Sequence, residues 1–232
     1  MIRALTVALF AALPAAAGAQ AISCLVPNRI PVAPAPGGTP RLLPVGGYTL
    51  ALSWSPEYCR FRRQNADDRL QCGGPANRFG FVLHGLWPDG RGDLWPQYCR
   101  RAPLVPEPVL RETLCVMPSA ELQQHEWAKH GVCTFRTPEA YFRAARALYA
   151  AVRYPDMDAL SRNPDLRVAS FATAFVARNP GLRPDAMRVS VDRKGWLEEV
   201  MLCLDTRFRP TGCRNDRADQ DRRPLKIWRA GR

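Results

Sequence analysis

A chain of 232 residues, 47% hydrophobic and 23% charged, is long enough to bury a core of its own, which excludes disordered, collagen-like and coiled-coil classes. Its formal net charge of +12, from 33 Lys and Arg against 21 Asp and Glu, draws polyanions such as nucleic acid, although the same richness in Arg, Ala and Pro fits a GC-rich genome. Beyond the N-terminus no apolar run is long enough to span a bilayer, so no membrane partner is expected.

The first residues read as an export signal: Met1-Ile2-Arg3 is positive, Ala4 to Ala16 is apolar, and Ala17-Gly18-Ala19 supplies small residues for cleavage. Cleavage after Ala19 is expected, with Ala21 as the alternative, and the compartment is the periplasm or the exterior. Residues 1–19 are thus a signal, 20–47 a Pro-rich arm, and 48–232 one domain with an Arg-rich tail.

Tyr48 to Trp54 alternates as a strand. Arg60 to Ala76 is polar and looped. Phe79 to Leu83 reads as a buried strand with His84 at its exit, and Pro88-Asp89-Gly90 as a turn into an aromatic loop through Trp95 and Tyr98. Glu107 to Cys115 is a short helix, and Ser119 caps a helix over Ala120 to Lys129. Helices follow over Pro138 to Val152 and over Val168 to Ala177, the second stopped by Asn179-Pro180-Gly181. Met187 to Val191 and Trp196 to Leu204 form a hairpin around Arg193-Lys194-Gly195. Helices and strands without a βαβ rhythm give an α+β class, a central antiparallel sheet with flanking helices. Eight Cys suit an oxidising compartment and up to four disulfides, whose pairing spacing alone leaves open.

Histidine is scarce: His84, His125 and His130 are all there are. Two fall in HEWAKHGVC, residues 125 to 133, and one in FVLHGLWPDG, residues 81 to 90. Lys129, one of only three lysines, sits between the paired histidines, where a compact ammonium was kept in a chain that otherwise writes Arg. On a helical wheel Lys129, Glu126 and His130 fall at about 40°, 100° and 140° from His125, with Trp127 turned away. One face would then carry two imidazoles, a carboxylate and an ammonium, provided the helix runs through His130. A zinc site is disfavoured because metalloprotease histidines stand at i and i+4, and because Lys129 repels a cation. A zinc-dependent hydrolase and a non-catalytic polyanion binder nevertheless stay open on the residues.

FVLHGLWPDG and HEWAKHGVC resemble, over nearly their full length, the two active-site segments of the T2 family of secreted endoribonucleases. YTLALSW, YFRAARALY and GWLEEVMLCLD extend the likeness over roughly Tyr48 to Cys213. Val132 departs from the family's usual Thr. The resemblance implies a metal-independent endoribonuclease, needing no cofactor, that turns single-stranded RNA into 2′,3′-cyclic phosphate and then 3′-phosphate ends with low base specificity. It implies His130 as general base, His84 as general acid, Glu126 and Lys129 as stabilisers of the transition state, and His125 as a phosphate ligand; acid and base remain interchangeable. Trp87, Asp89 and, more weakly, Trp95 would contact bases, with Trp87 as a core residue the competing reading. It further implies disulfides Cys99–Cys133, Cys59–Cys72 and Cys203–Cys213, which leave Cys24 and Cys115 as the last pair. RNA is the expected partner of a monomer with no obligate protein partner.

Overall fold

The computed structural model describes residues 21–31, 33–214 and 222–229; the signal expected at 1–19 lies outside the described residues. The chain runs β1 (Ala21–Ser23), β2 (Val45–Trp54), α1 (Ser55–Tyr58), α2 (Arg69–Cys72), β3 (Arg78–Phe79) and β4 (Phe81–Gly90). It continues through α3 (Glu107–Thr113), α4 (Ala120–Lys129), α5 (Pro138–Ala151), α6 (Met157–Ser161), α7 (Val168–Ala177), β5 (Met187–Val191) and β6 (Leu197–Leu204). Four strands form one antiparallel sheet in the order β4-β2-β6-β5, and β1 pairs with β3.

Alternation along β2 sets the two faces of this sheet. Tyr48, Leu50, Leu52 and Trp54 join the core with Leu83 and Leu86 of β4 and Val200, Leu202 and Leu204 of β6. Helices supply the other half of that core: Tyr141, Phe142, Ala145 and Tyr149 from α5, and Phe171 and Phe175 from α7. Thr49, Ala51 and Ser53 point the opposite way, where the sheet carries polar side chains. Thr137 and Ser119 cap α5 and α4 by accepting from Ala140 N and Leu122 N. Gly195, at φ +82°, makes the tight turn that starts β6.

Two local expectations are corrected. β4 does not end at Leu83: it runs to Gly90, so His84 is inside the strand and Pro88-Asp89-Gly90 pairs with β2 instead of turning. Pro88 is tolerated because β4 is the sheet's edge, where a missing N–H leaves no ladder bond unmade. The Pro-rich arm also ends before residue 47. Its last residues, from Val45, already belong to β2. Cys24 is bonded to Cys115, and Arg111 donates to the carbonyls of Pro27 and Asn28 at 2.9 Å each.

Candidate active site

His84 owes its position to a β-bulge. Along the β2–β4 ladder Ala51 pairs with Gly85 and Leu52 with Leu83, which leaves His84 as the extra residue. The bulge reverses the alternation, so Leu83 and Leu86 both enter the core while His84, Trp87 and Asp89 share the polar side. The His84 ring reaches across β2 to β6: Nδ1 lies 2.5 Å from Glu199 Oε1. Ser53 Oγ, 3.4 Å from the same nitrogen, donates to that carboxylate oxygen at 2.7 Å. Burial pulls the imidazole toward neutrality. The Glu199 hydrogen bond and the carboxylates of Glu126 and Glu199 more than offset it, and the His84 pKa is raised.

Helix α4 lies against the edge strand and delivers the second segment. Trp127 is fully buried, its indole N–H donating to Pro103 O. Glu126, one residue earlier, is 1% exposed: Oε2 accepts from Trp87 Nε1 at 2.7 Å and Oε1 lies 3.9 Å from His84 Nε2. Gly85 is the residue that permits this approach, since a Cβ there would run into the Glu126 carboxylate and the Trp87 indole. Burial pushes the Glu126 carboxyl up to about 7, against the opposing pull of His84, the Trp87 N–H and Lys129.

The helix ends at Lys129, one residue earlier than the wheel required, and His130 is its C-cap with φ −111° and ψ −50°. That turn folds His130 inward, 5% exposed, its ring 5.7 Å from Trp87. His84 packs edge-on to the same indole at 5.1 Å, so Trp87 touches both imidazoles. Burial, followed by the charges of Lys129, His125 and His84, drives His130 down to about 3. The ring is therefore neutral over the whole ordinary pH range, with Nδ1 buried and unpartnered among the described residues. His125 is half-buried, and burial, Lys129 and His84 lower its pKa too.

A cleft of about 360 Å³ opens beside Trp87, Lys129 and His130 and runs past Asp89 to Trp95. Asp89 accepts from Thr49 Oγ1 at 2.8 Å; burial raises its pKa, against Thr49, Arg188 and Arg214. Trp95 is 42% exposed with the Arg41 guanidinium 5.0 Å above its ring. His84, His125 and Glu126 do not line this volume. Among the described residues no group of three or more His, Cys, Asp or Glu could hold a metal ion. Four disulfides link Cys24–Cys115, Cys59–Cys72, Cys99–Cys133 and Cys203–Cys213, the third tying the aromatic loop to the end of α4.

Sequence reading missed Ser53 and Glu199. They form a cross-strand pair, and a signal for them existed: counting back from Leu204, Leu202 and Val200 puts Glu199 on the polar face. Which strand faced it could not be read. Chemically, the assembly favours the proton on one imidazole, disfavours it on another, and surrounds them with a buried carboxyl and a lysine.

The sequence model of the ribonuclease T2 family matches residues 45–164, just over half of the chain. A probable ribonuclease of Haemophilus influenzae is 33% identical over 183 residues, 74% of this chain and 62% of that protein. A ribonuclease of Aeromonas hydrophila is 46% identical over 88 residues, 38% of this chain and 37% of that one. The chain thus spans less than two thirds of the length of these relatives. Among solved structures, trichomaglin, described as a novel S-like ribonuclease, shares the fold with a TM-score of 0.60 at 20% identity, over 73% of this chain and 92% of its own. With both histidine segments inside the matched residues, the chain belongs to the ribonuclease T2 family.

Proposed function

We propose that the chain is an endoribonuclease that cleaves single-stranded RNA by attack of the 2′-oxygen on the adjacent phosphorus, without a metal ion. The observation that carries this reading is the pair His84 and His130 held against one indole with opposite proton affinities, beside Glu126 and Lys129. Such a cleavage needs a base for the 2′-OH and an acid for the departing 5′-oxygen. His130, neutral, takes the 2′ proton; His84, protonated, gives one to the leaving group. Lys129 supplies positive charge to the phosphorane oxygens, and Glu126, largely protonated in mild acid, has a hydrogen-bond donor to offer them. His125 assists in holding phosphate. Asp89 and Trp95 border the cleft where a base would lie. The Trp87 indole N–H is committed to Glu126, so what it offers a base is ring surface. The cyclic phosphate formed first is then hydrolysed to a 3′-phosphate.

Low base specificity, a monomeric state and export to the periplasm or exterior belong to the same proposal. The export reading is supported by the family's general habit of secretion and by four disulfides, which suit an oxidising compartment. The test is a dinucleoside monophosphate incubated with the folded protein in excess EDTA and followed by phosphorus NMR. A 2′,3′-cyclic phosphate resonance is expected. Cleavage that appears only after zinc is added would overturn the metal-free mechanism, and none under either condition would leave a polyanion binder.

A further inference from the structure

Glu199 lies on β6, outside the residues matched by the family model, yet it makes the shortest polar contact that His84 has. Its Oε1 accepts twice, from Ser53 Oγ and from His84 Nδ1. Because Glu199 is held, against burial, below the usual carboxylate range by these hydrogen bonds, it is a carboxylate that can only accept, and the proton between it and His84 sits on Nδ1. The other ring nitrogen, Nε2, faces Glu126 at 3.9 Å. The carboxylate is only 19% exposed, where a charge-assisted hydrogen bond is poorly replaced by water. This is the arrangement by which a carboxylate fixes the tautomer and ring orientation of a catalytic imidazole.

We propose that Glu199, seated by Ser53, is a positioning residue that holds His84 as the proton donor to the departing 5′-oxygen. This rests on the reading of His84 as the general acid given above. In the step, the 2′-oxygen forms its bond to phosphorus and its proton passes to His130. The bond from phosphorus to the 5′-oxygen breaks, and that oxygen takes the proton from His84 Nε2. His84 ends neutral with Nδ1–H still on Glu199, which remains a carboxylate throughout and never touches substrate.

The other groups acting on His84 come from α4 and its C-cap: Glu126 favours its charged form, Lys129 opposes it, and His125 and His130 carry charge only when protonated. Removing the Glu199 charge leaves Glu126 as the sole supporting carboxylate. His84 then loses its proton at lower pH, and the alkaline limb of the rate profile moves down by about one pH unit.

Two substrates separate this role from a merely structural one. A dinucleoside monophosphate has a poor leaving group that needs an acid, whereas a nucleoside 3′-(p-nitrophenyl phosphate) has a leaving group that departs without one. Glu199→Gln is expected to lower kcat on the dinucleotide about 10- to 100-fold with KM nearly unchanged, and to leave the nitrophenyl ester within about threefold of wild type. Glu199→Asp should recover part of the loss. Ser53→Ala, which keeps the carboxylate, serves if Glu199→Gln does not fold and should show the same pattern weakly. Equal losses on both substrates, or a dinucleotide pH profile that does not move, would overturn the positioning role. His84→Ala is run beside them: if it too loses both substrates equally, the acid assignment has failed, whereas an intact acid signature for His84 with no effect of Glu199→Gln condemns this proposal alone.

Discussion

Glu126 shows what the site costs at the level of one side chain. It is almost wholly buried and its carboxyl is pushed up to about 7, so above neutrality the folded protein carries a charge that its surroundings resist. For a group whose folded pKa lies above the unfolded value, stability is fully present below the unfolded pKa and is lost as pH rises through the folded one. Glu126→Gln should therefore stabilise the protein at pH 8, by on the order of 2 kcal/mol, and make little difference at pH 4, as urea unfolding at the two pH values would show. A stability gain of the same size at both would mean that the carboxyl is not titrating in this window. His130 pulls the other way. Held neutral down to about 3, it contributes stability above the ordinary histidine pKa that is lost as pH falls toward 3. The raised His84 and lowered His130 also set the rate profile: the base is available through mild acid, and activity should fall on the alkaline side, as Glu126 loses its proton near 7 and His84 its own above the ordinary histidine value.

Helix α4 and strand β4 form the site only as a registered pair, and the elements that hold them are covalent as well as packed. Cys99–Cys133 joins chain segments 34 residues apart at the end of α4, where Tyr98 N also donates to Lys129 O at 2.8 Å. Replacing both cysteines by Ala should lower unfolding free energy by about 3–4 kcal/mol on the loop-entropy account and also lower kcat of the molecules that remain folded. Removing Cys59–Cys72, which closes a 13-residue separation near β2, should cost stability while leaving kcat unchanged. Urea titrations paired with rate measurements below melting separate the two. At this scale α4 and α7 were legible to the residue, because Ser119 and the Asn179-Pro180-Gly181 stop punctuate them locally. β4 was not. Its continuation past His84 depends on pairing with β2, and Pro88-Asp89-Gly90 carries a turn signal that the ladder overrides. The inward turn of His130 was hidden for a similar reason, since it arises from how α4 meets β4 and not from the helix period.

Across the whole molecule the +12 charge should act as a long-range attraction for RNA, distinct from the chemistry at the histidines. kcat/KM on a long single strand is expected to fall about tenfold or more between 50 and 200 mM salt, while a dinucleotide, touching few cations, falls far less. Equal salt dependence for both would confine recognition to the immediate site. Charge was readable from composition; its arrangement around the cleft, with Arg188 and Arg214 beside Asp89, was not, because those residues lie far apart in sequence, Arg188 brought in by β5 and Arg214 by the segment bonded to β6 through Cys203–Cys213. The bulge at His84 joins the two sides of the molecule in one further respect. Between Leu83 and Leu86 the bulge takes up one surplus residue, so that the dry side and the wet side of β4 stay in phase with β2. Deleting that residue would leave a regular ladder, with Leu83 still opposite Leu52, Leu86 still opposite Leu50, and Trp87 and Asp89 still on the wet side. The sheet can therefore be built without His84: the surplus residue serves the chemistry and not the fold, and its loss should remove the imidazole while sparing the core.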